Sequence, residues 1–275
     1  MDFDVVLPSG RIRARRWGGQ DAPLLLCVPG LAANLCAFTA VAEELASAGH
    51  QVVAMDLRGT GRSEITPAGS YGMDGHARDV LGVAASLGAT RFGLVGWSLG
   101  ALIAMQVAVL EGSKLRSVTL LDHAGPTDAA ALVPVRDGLA RLDLAVADPQ
   151  EYLDAVRSAG PIEPWSPFWD RYHTYELAER ADGRWSPSTS RAAAEEDLRQ
   201  RWPRDWRPYW RALTMPTTLV RAMQPIGGAL VVPQHAVDAL LAVNPGVRVV
   251  ETQASNHWTC LEDPELIAAV SASQD

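Results

Sequence analysis

A serine with a glycine two residues away on each side, in Gly96-Trp97-Ser98-Leu99-Gly100, is the clearest chemical signal in this 275-residue sequence. The apolar run Phe92 to Val95 precedes it, and the helical run Ala101 to Leu110 follows it. Glycines at these two places let a strand and a helix approach closely around a sharp turn that exposes the serine hydroxyl. The backbone N–H of Leu99 would then suit an oxyanion. We therefore predict that Ser98 is a nucleophile.

A serine hydroxyl is a weak nucleophile until a base accepts its proton, so a histidine is required nearby. His257, in Ala254-Ser-Asn-His-Trp258, lies in the loop between the last strand-like run and the last helical run. That loop belongs to the carboxyl edge of the predicted sheet, where Ser98 also emerges. We predict that His257 is the base, in preference to the other five histidines: His50, His76, His123, His173 and His235.

Short apolar runs alternate with stretches of helical spacing along most of the chain. The strand-like runs are Leu24–Val28, Gln51–Met55, Phe92–Val95, Ser117–Leu121, Thr217–Val220 and Val247–Val250. The helical stretches are Phe38–Gly49, Gly72–Leu87, Leu99–Glu111, Gln234–Val243 and Pro264–Ser273. This alternation predicts an α/β fold with a mostly parallel sheet and helices on both faces. Val5–Leu7 and Arg11–Trp17 flank Pro8-Ser9-Gly10, which predicts an initial hairpin.

The strand rhythm stops in the segment 124–213 and resumes at Thr217. A helical excursion of this length predicts a cap inserted between two parts of the core, residues 1–123 and 214–275. Six of the nine tryptophans lie in this segment. The spacing of Trp202, Trp206 and Trp210 favours the cap's own core. Trp165 and Trp169 stand beside prolines, where packing and pocket-lining roles are both open.

Taken together, these motifs resemble those of the α/β-hydrolase fold family over nearly all of the chain outside the cap. The matching segments are Val28-Pro-Gly-Leu31, Asp56-Leu-Arg-Gly-Thr-Gly-Arg-Ser63, the turn around Ser98, and Asn256-His257-Trp258. The resemblance implies that the N–H groups of Leu31 and Leu99 form the oxyanion hole. It also implies that Asp56, Arg58 and Gly61 support a tight turn. Pro29 and Ser255-Asn256 depart from the family pattern, but neither departure removes a reacting group.

A larger departure concerns the acid that should orient His257. In most of the family it follows the strand predicted at Thr217–Ala222, yet Met223–Gln234 contains no Asp or Glu. Asp122 closes the strand after Ser98 at the same edge of the sheet, and some lipases, lactone and amide hydrolases and cofactor-free dioxygenases carry their acid there. We therefore predict Asp122 as the acid. Asp238, inside a helix, and Glu251, six residues before His257, are weaker rivals.

Four further residues are expected to contact substrate: Trp97, His123, Trp165 and Trp169. The formal net charge of −8 argues against nucleic acid and against a basic membrane-binding surface, so the expected partner is a small molecule. The three cysteines fit neither a disulfide framework nor a zinc pattern, and we expect no metal and no cofactor. Met1–Arg16 lacks the apolar stretch of a signal peptide, which favours a cytoplasmic protein without membrane segments. A homodimer is left open.

These residues predict a serine hydrolase that cleaves a carboxylic ester or lactone with an apolar or aromatic body through an acyl-enzyme. A second interpretation keeps the same residues but changes the reaction to C–C or C–N bond hydrolysis or to cofactor-free dioxygenation. A third is a small-ligand receptor built on a hydrolase fold. The sequence leaves the natural substrate open.

Overall fold

The fold was analysed in a computed structural model, which describes residues 1–160, 162–200, 202–203 and 205–274. Eight strands form one sheet: β1 (Asp2–Leu7), β2 (Gly10–Trp17), β3 (Leu24–Val28), β4 (Gln51–Met55), β5 (Phe92–Trp97), β6 (Leu115–Leu121), β9 (Thr217–Ala222) and β10 (Arg248–Thr252). β7 (Leu177–Glu179) and β8 (Trp185–Pro187) form a separate antiparallel pair. The large sheet has the order β1-β2-β4-β3-β5-β6-β9-β10. It is parallel from β4 to β10, and β1 and β2 form the predicted antiparallel hairpin.

Nine helices of the described residues lie in the connections between these strands, and one follows the last strand. They are α1 (Thr39–Ser47), α2 (Met73–Ser86), α3 (Leu99–Glu111), α4 (Ala129–Asp137), α5 (Pro149–Ala159), α6 (Pro167–Tyr175), α7 (Arg191–Arg199), α8 (Arg207–Ala212), α9 (Gln234–Val243) and α10 (Pro264–Ser271). No helix in the described part of the chain combines the length and the apolar character needed to cross a bilayer.

Both faces of the sheet are covered, which explains why its central strands are continuous apolar runs. Along β3, Leu24, Leu26 and Val28 face one core, and Leu25 and Cys27 face the other, as the two-residue period of a strand requires. The first core is closed by α2, α3, α8 and α9, and the second by α1 and α10 together with aromatic residues of α6. The predicted α/β fold, with a mostly parallel sheet and helices on both faces, is confirmed.

The segment 124–213 is called the cap below. Its described residues contain α4 to α8 and the β7–β8 pair, and they add no strand to the large sheet. The interpretation of Trp202, Trp206 and Trp210 as the cap's own core is wrong. Trp206 and Trp210 pack into the first core of the sheet, where the Trp210 indole N–H donates to the Ala124 carbonyl. Trp202 lies outside any helix and is 37% exposed.

Candidate active site

The turn that carries Ser98 joins β5 directly to α3. Ser98 has φ +55° and ψ −118°, a strained conformation for a residue with a side chain. An added Cβ at Gly96 would lie 2.2 Å from the Gly100 carbonyl oxygen, and one at Gly100 would lie 2.0 Å from the Val28 carbonyl oxygen. Both positions therefore need glycine so that β3, β5 and α3 can meet behind the serine.

Three side chains that are distant in sequence form a hydrogen-bonded series at the carboxyl edge of the sheet. Ser98 Oγ lies 3.0 Å from His257 Nε2, and His257 Nδ1 lies 2.8 Å from Asp122 Oδ2. The His257 and Asp122 side chains are 4% and 2% exposed, so water competes little for these contacts. The structure therefore brings together the three residues that the sequence singles out, in the order that proton transfer from a serine requires.

The position of Asp122 explains how an acid after β6 reaches His257. Asp122 has φ +47°, and its backbone N–H donates to the Val220 carbonyl on the neighbouring strand β9. Its Oδ1 accepts the backbone N–H of Ala222, which leaves Oδ2 to face His257.

The two rival acids are engaged elsewhere. Glu251 pairs with Arg221 at 2.9 Å, and Asp238 accepts a hydrogen bond from Gln234. Neither contact involves His257, whose Nδ1 faces Asp122. Asp122 is therefore the carboxylate that the geometry assigns to the imidazole.

The loop that carries His257 is fixed by contacts to its backbone. The Trp97 indole N–H donates to the His257 carbonyl at 3.0 Å, and the Cys260 thiol donates to the same oxygen at 3.3 Å. The Trp97 and His257 rings lie 5.4 Å apart. Trp97, which precedes the serine, thus helps to position the histidine. The sequence suggested only a substrate contact for this residue.

Two backbone N–H groups beside Ser98 have no acceptor among the described residues, those of Leu31 and Leu99. The loop of Leu31 lies against the serine, because an added Cβ at Gly30 would be 3.0 Å from Ser98 Cβ. Leu99 begins α3, where the helix dipole favours negative charge. These are the two donors that the family resemblance implies for an oxyanion.

The turn at Asp56 supports the loop that carries Leu31. The buried carboxylate of Asp56 accepts hydrogen bonds from the backbone N–H groups of Leu35 and Arg62 and from the Tyr175 hydroxyl. Gly61 is required because its added Cβ would lie 2.3 Å from Asp56 Oδ2. Burial raises the pKa of Asp56 to about 6, against the lowering effect of the three donors. The contacts fit a supporting role for this turn.

A cleft opens beside Ser98 and His257; it is called the Ser98 cleft below. Apolar side chains from the core and the cap line it, among them Leu31, Leu102, Leu132, Val135, Leu198 and Val231. Trp202 also borders this cleft. A substrate here would be held mainly by apolar contacts.

His123 also lines the Ser98 cleft. Burial, together with the nearby His257, lowers the pKa of His123 to about 3, so the ring is neutral near pH 7. Its Nδ1 accepts the Gly125 backbone N–H at 3.3 Å, and its Nε2 lies 3.4 Å from Thr127 Oγ1. His123 thus lines the cleft in which the predicted substrate contact would be made.

A second cavity shares two lining residues, Leu31 and Val135, with the Ser98 cleft. It is called the aromatic cavity below because its lining includes Trp97, Trp169, Tyr172, His173 and Trp258. Two of the predicted substrate contacts, Trp97 and Trp169, lie on this cavity.

Trp165, the remaining predicted substrate contact, is not among the residues that line these two cavities. Its ring stacks on His173 at 5.5 Å, its indole N–H donates to Asp170, and the Arg157 guanidinium lies over its outer face. The proline-rich sequence around Trp165 suggested a pocket wall. The structure instead places this ring behind His173.

A buried polar cluster beside the aromatic cavity was not predicted. Glu176 accepts hydrogen bonds from Arg141, Tyr152 and His173. Arg141 also donates to the Ala32 carbonyl at 2.6 Å, which ties the cap to the loop of Leu31. The spacing of His173 and Glu176, three residues apart at the end of a helix, was the one signal in the sequence that could have indicated part of this cluster.

Among the described residues, no group of three or more His, Cys, Asp or Glu side chains is arranged to hold a metal ion.

The chain matches the family model of the alpha/beta hydrolase fold over residues 23–264 and belongs to this family. A candidate carbamate hydrolase of Variovorax paradoxus (strain S110) is 30% identical over 165 residues, 60% of each chain. The 3-hydroxybutyrate-oligomer hydrolase of Cupriavidus necator (strain H16) is 28% identical, over 96% of this chain and 93% of the relative. The crystal structure of E-2-(acetamidomethylene)succinate hydrolase superposes with a TM-score of 0.85 and 23% identity, covering 100% of this chain and 99% of that one.

The matches to three of the curated relatives span only 39% to 60% of those proteins' own lengths. The structural likeness, at 23% identity, shows the shared fold.

Proposed function

We propose that this protein is a serine hydrolase that transfers an acyl group from its substrate to Ser98 and then to water. The observation that carries the proposal is the series Ser98, His257 and Asp122, with contacts of 3.0 Å and 2.8 Å beside an apolar cleft. Such a series has the parts of an activated nucleophile: a hydroxyl, a base within hydrogen-bond distance, and a carboxylate that orients the base.

In the first half of the reaction, His257 Nε2 accepts the proton of Ser98 as Oγ attacks the substrate carbonyl. Asp122 holds His257 in the tautomer with a free Nε2 and stabilises the imidazolium that forms. The N–H groups of Leu31 and Leu99 donate to the oxygen that becomes negatively charged. The imidazolium then gives its proton to the leaving group, and the acyl-enzyme remains.

In the second half, a water molecule attacks the acyl-enzyme while His257 accepts its proton. The same two N–H groups stabilise the second tetrahedral intermediate. When this intermediate collapses, Ser98 recovers its proton from His257 and the acid product leaves. The residues therefore return to their starting protonation states without another reactant.

The substrate class that best fits the lining is a carboxylic ester or lactone with an apolar or aromatic body. Leu102, Leu132, Val135 and Val231 line the Ser98 cleft, and tryptophans line the adjoining aromatic cavity. The cation in the aromatic cavity, Arg141, is already paired with Glu176 at 3.1 Å. Apolar contact would therefore supply most of the binding free energy.

Hydrolysis of a C–N bond is a second candidate, which the names of two similar proteins favour. One is a candidate carbamate hydrolase, and the other acts on E-2-(acetamidomethylene)succinate. The same series of residues suffices for this reaction, since the imidazolium would protonate a leaving nitrogen in place of an oxygen.

The test combines covalent labelling with matched substrates. A fluorophosphonate should add one label to the wild-type protein, located at Ser98 by peptide mass spectrometry. The protein should also release p-nitrophenol from short-chain esters, and Ser98→Ala should lower kcat by about 10⁴-fold or more. Ser158→Ala, at an exposed serine of α5, is the control and should retain full activity.

Ester and amide analogues with the same acyl group then separate the two candidates by their kcat/KM values. Labelling at a serine other than Ser98, or wild-type turnover by Ser98→Ala, would refute the proposal. Oxygen consumption with a heteroaromatic substrate would identify a dioxygenase instead. Tight binding of a small ligand without any turnover would identify a receptor.

A further inference from the structure

His173, near the end of α6, is buried beside the aromatic cavity and is 4% exposed. Its Nδ1 lies 2.8 Å from Glu176 Oε1. Its Nε2 is also buried but has no hydrogen-bond partner among the described residues. An unpaired buried polar atom costs free energy, so one on a residue that lines a cavity points to a ligand group that would pair with it.

The contacts of Glu176 define which kind of group this must be. Burial alone would raise the pKa of Glu176, but Arg141 and His173 lower it to about 2, so the side chain is a carboxylate. A carboxylate can only accept, and His173 Nδ1 therefore carries the proton that it donates to Glu176. Burial lowers the pKa of His173, which keeps the ring neutral near pH 7 although Glu176 opposes this shift. A neutral ring protonated on Nδ1 has a lone pair on Nε2.

The direction of this lone pair is fixed by aromatic packing. The Trp165 ring stacks on His173 at 5.5 Å with 14° between the planes, and the Tyr172 ring meets it edge-on at 4.9 Å. Trp169 and Tyr152 lie 6.2 and 6.3 Å away. With Nδ1 held by Glu176, the ring cannot turn without losing a buried hydrogen bond. His173 is thus a preorganised acceptor.

Arg141 does not compete for the same ligand group. Its guanidinium pairs with Glu176 and donates to the carbonyls of Ala32 and Gly138. Among the described residues that line it, the cavity therefore offers a neutral acceptor and no unpaired positive charge, a combination that favours a hydroxyl or amide N–H over a carboxylate.

We propose that the substrate carries a hydrogen-bond donor, a hydroxyl or an amide N–H, at the end of its apolar body remote from the scissile carbonyl, and that His173 Nε2 accepts it. This inference rests on the proposed function, because it requires one substrate to reach from Ser98 past Leu31 and Val135, the residues that line both the Ser98 cleft and the aromatic cavity. His173 is then a specificity-determining residue that binds the end of the substrate while Ser98 attacks its carbonyl.

The experiment compares esters that differ only in a terminal hydroxyl. One series contains methyl esters of straight-chain acids with and without an ω-hydroxyl, and the other contains acetates of the matching diols and alcohols. Each series covers a range of chain lengths, so that either side of the ester and any distance to His173 is sampled. At one length, wild-type protein should show a kcat/KM at least about tenfold higher for the hydroxylated member.

Replacement of the acceptor should reverse this preference. In His173→Phe the hydroxyl would enter an apolar wall without a partner, and the unsubstituted ester should become the better substrate. The readout is the ratio of the kcat/KM values of two substrates on the same protein. A lower fraction of folded variant reduces both values equally and leaves this ratio unchanged. His235→Phe makes the same change at an exposed histidine and should keep the wild-type ratio.

The outcomes separate this inference from the proposed function. Equal kcat/KM values at every length in both series, with hydrolysis intact, would overturn the inference alone. If no ester is hydrolysed, the proposed function fails, and the Kd values of the same pairs for Ser98→Ala decide the inference. A tenfold preference for the hydroxylated member that His173→Phe abolishes would support it, and equal Kd values would overturn it.

Discussion

Asp122 Oδ1 accepts the backbone N–H of Ala222 at 2.9 Å, and this bond joins the carboxyl ends of β6 and β9. The two strands are neighbours in the sheet, so a carboxylate at the end of β6 can occupy the region beyond β9. Its second oxygen faces His257. The acid therefore reaches the histidine from the end of β6, whereas in most of the family it follows the strand that corresponds to β9. Because β6 and β9 are neighbours in the sheet, a carboxylate at either end can contact the same histidine.

Asp122→Asn tests the assigned role of this carboxylate. An asparagine can still accept the Ala222 N–H, but its amide N–H₂ would then face His257 Nδ1 and stabilise the wrong tautomer. We expect kcat to fall by about 10⁴-fold, with little change in the thermal unfolding midpoint. Asp128→Asn, at an exposed acid that makes no capping hydrogen bond to α4, is the control and should retain full activity. Near-normal turnover by Asp122→Asn would remove Asp122 from the mechanism.

The close approach behind Ser98 predicts the effect of adding one methyl group. Gly100→Ala would place its Cβ 2.0 Å from the Val28 carbonyl oxygen, which is backbone and cannot turn away. We expect Gly100→Ala to lower the free energy of unfolding by more than about 4 kcal/mol or to prevent folding. At Gly19 an added Cβ meets nothing within 4 Å, so Gly19→Ala should change stability by less than about 0.5 kcal/mol. Urea denaturation measures both, and equal stability of the two variants would contradict the prediction.

The buried pair of Arg141 and Glu176 should be strongly coupled. Arg141→Met leaves the Glu176 carboxylate in the protein interior without its cation, and we expect a loss of about 3–5 kcal/mol in the free energy of unfolding. Adding Glu176→Gln removes the uncompensated charge, so the double variant should be more stable than the sum of the single changes predicts.

The exposed pair of Arg207 and Asp205 provides the matched comparison for this cycle. Substitutions of that pair should be nearly additive, because solvent screens the two charges. Additive effects at Arg141 and Glu176 as well would show that the buried pair is not coupled. Arg141→Met should also lower kcat, because it releases the Ala32 carbonyl next to Leu31.

The lowered pKa of His123 predicts a loss of stability in mild acid. An unfolded chain protonates this histidine near its ordinary pKa of 6.5, whereas the folded chain resists protonation down to about 3. As the pH falls below 6.5, the unfolded state therefore binds the proton and the free energy of unfolding decreases. The slope for one such site is at most about 1.4 kcal/mol per pH unit.

His123→Gln isolates this contribution, since the other ionisable groups are common to both proteins. Between pH 7.5 and 4.5 the wild-type free energy of unfolding should fall more steeply than that of the variant. The difference in free energy of unfolding between the two proteins should therefore change by about 1 kcal/mol or more between pH 7.5 and pH 4.5. Parallel curves from urea denaturation at each pH would show that folded His123 titrates normally.

Local patterns were enough to predict most of the fold. The central strands are buried on both faces, so each is a short apolar run that can be read without knowledge of its neighbours. Errors occur at the ends of strands: β5 continues to Trp97, two residues past the predicted end, and β6 begins at Leu115, two residues before the predicted start. At these ends the pairing with adjacent strands, and not the local composition, decides where the strand stops.

The three residues of the Ser98 series could be singled out because each lies in the segment that follows a predicted strand, and the carboxyl ends of parallel strands share one edge. The contacts between residues inside the cap could not be predicted from the sequence in this way. Arg141 and Glu176 are 35 residues apart, and their contact depends on how the helices of the cap fold together. Trp206 and Trp210 likewise showed helical spacing, but spacing alone does not tell which of two cores a helix faces.

The loop after β9 contributes no side chain to the Ser98 series, because the acid of that series, Asp122, follows β6. Its residues Ile226 and Val231 pack against Ala131 of α4, and Val231 also borders the Ser98 cleft. Substitutions there can reshape the entrance for a new compound while the reacting groups keep their mutual positions. The residues that shape the cleft entrance therefore follow one strand, and the carboxylate that contacts His257 follows another. This separation makes the loop after β9 a suitable region to vary in directed evolution.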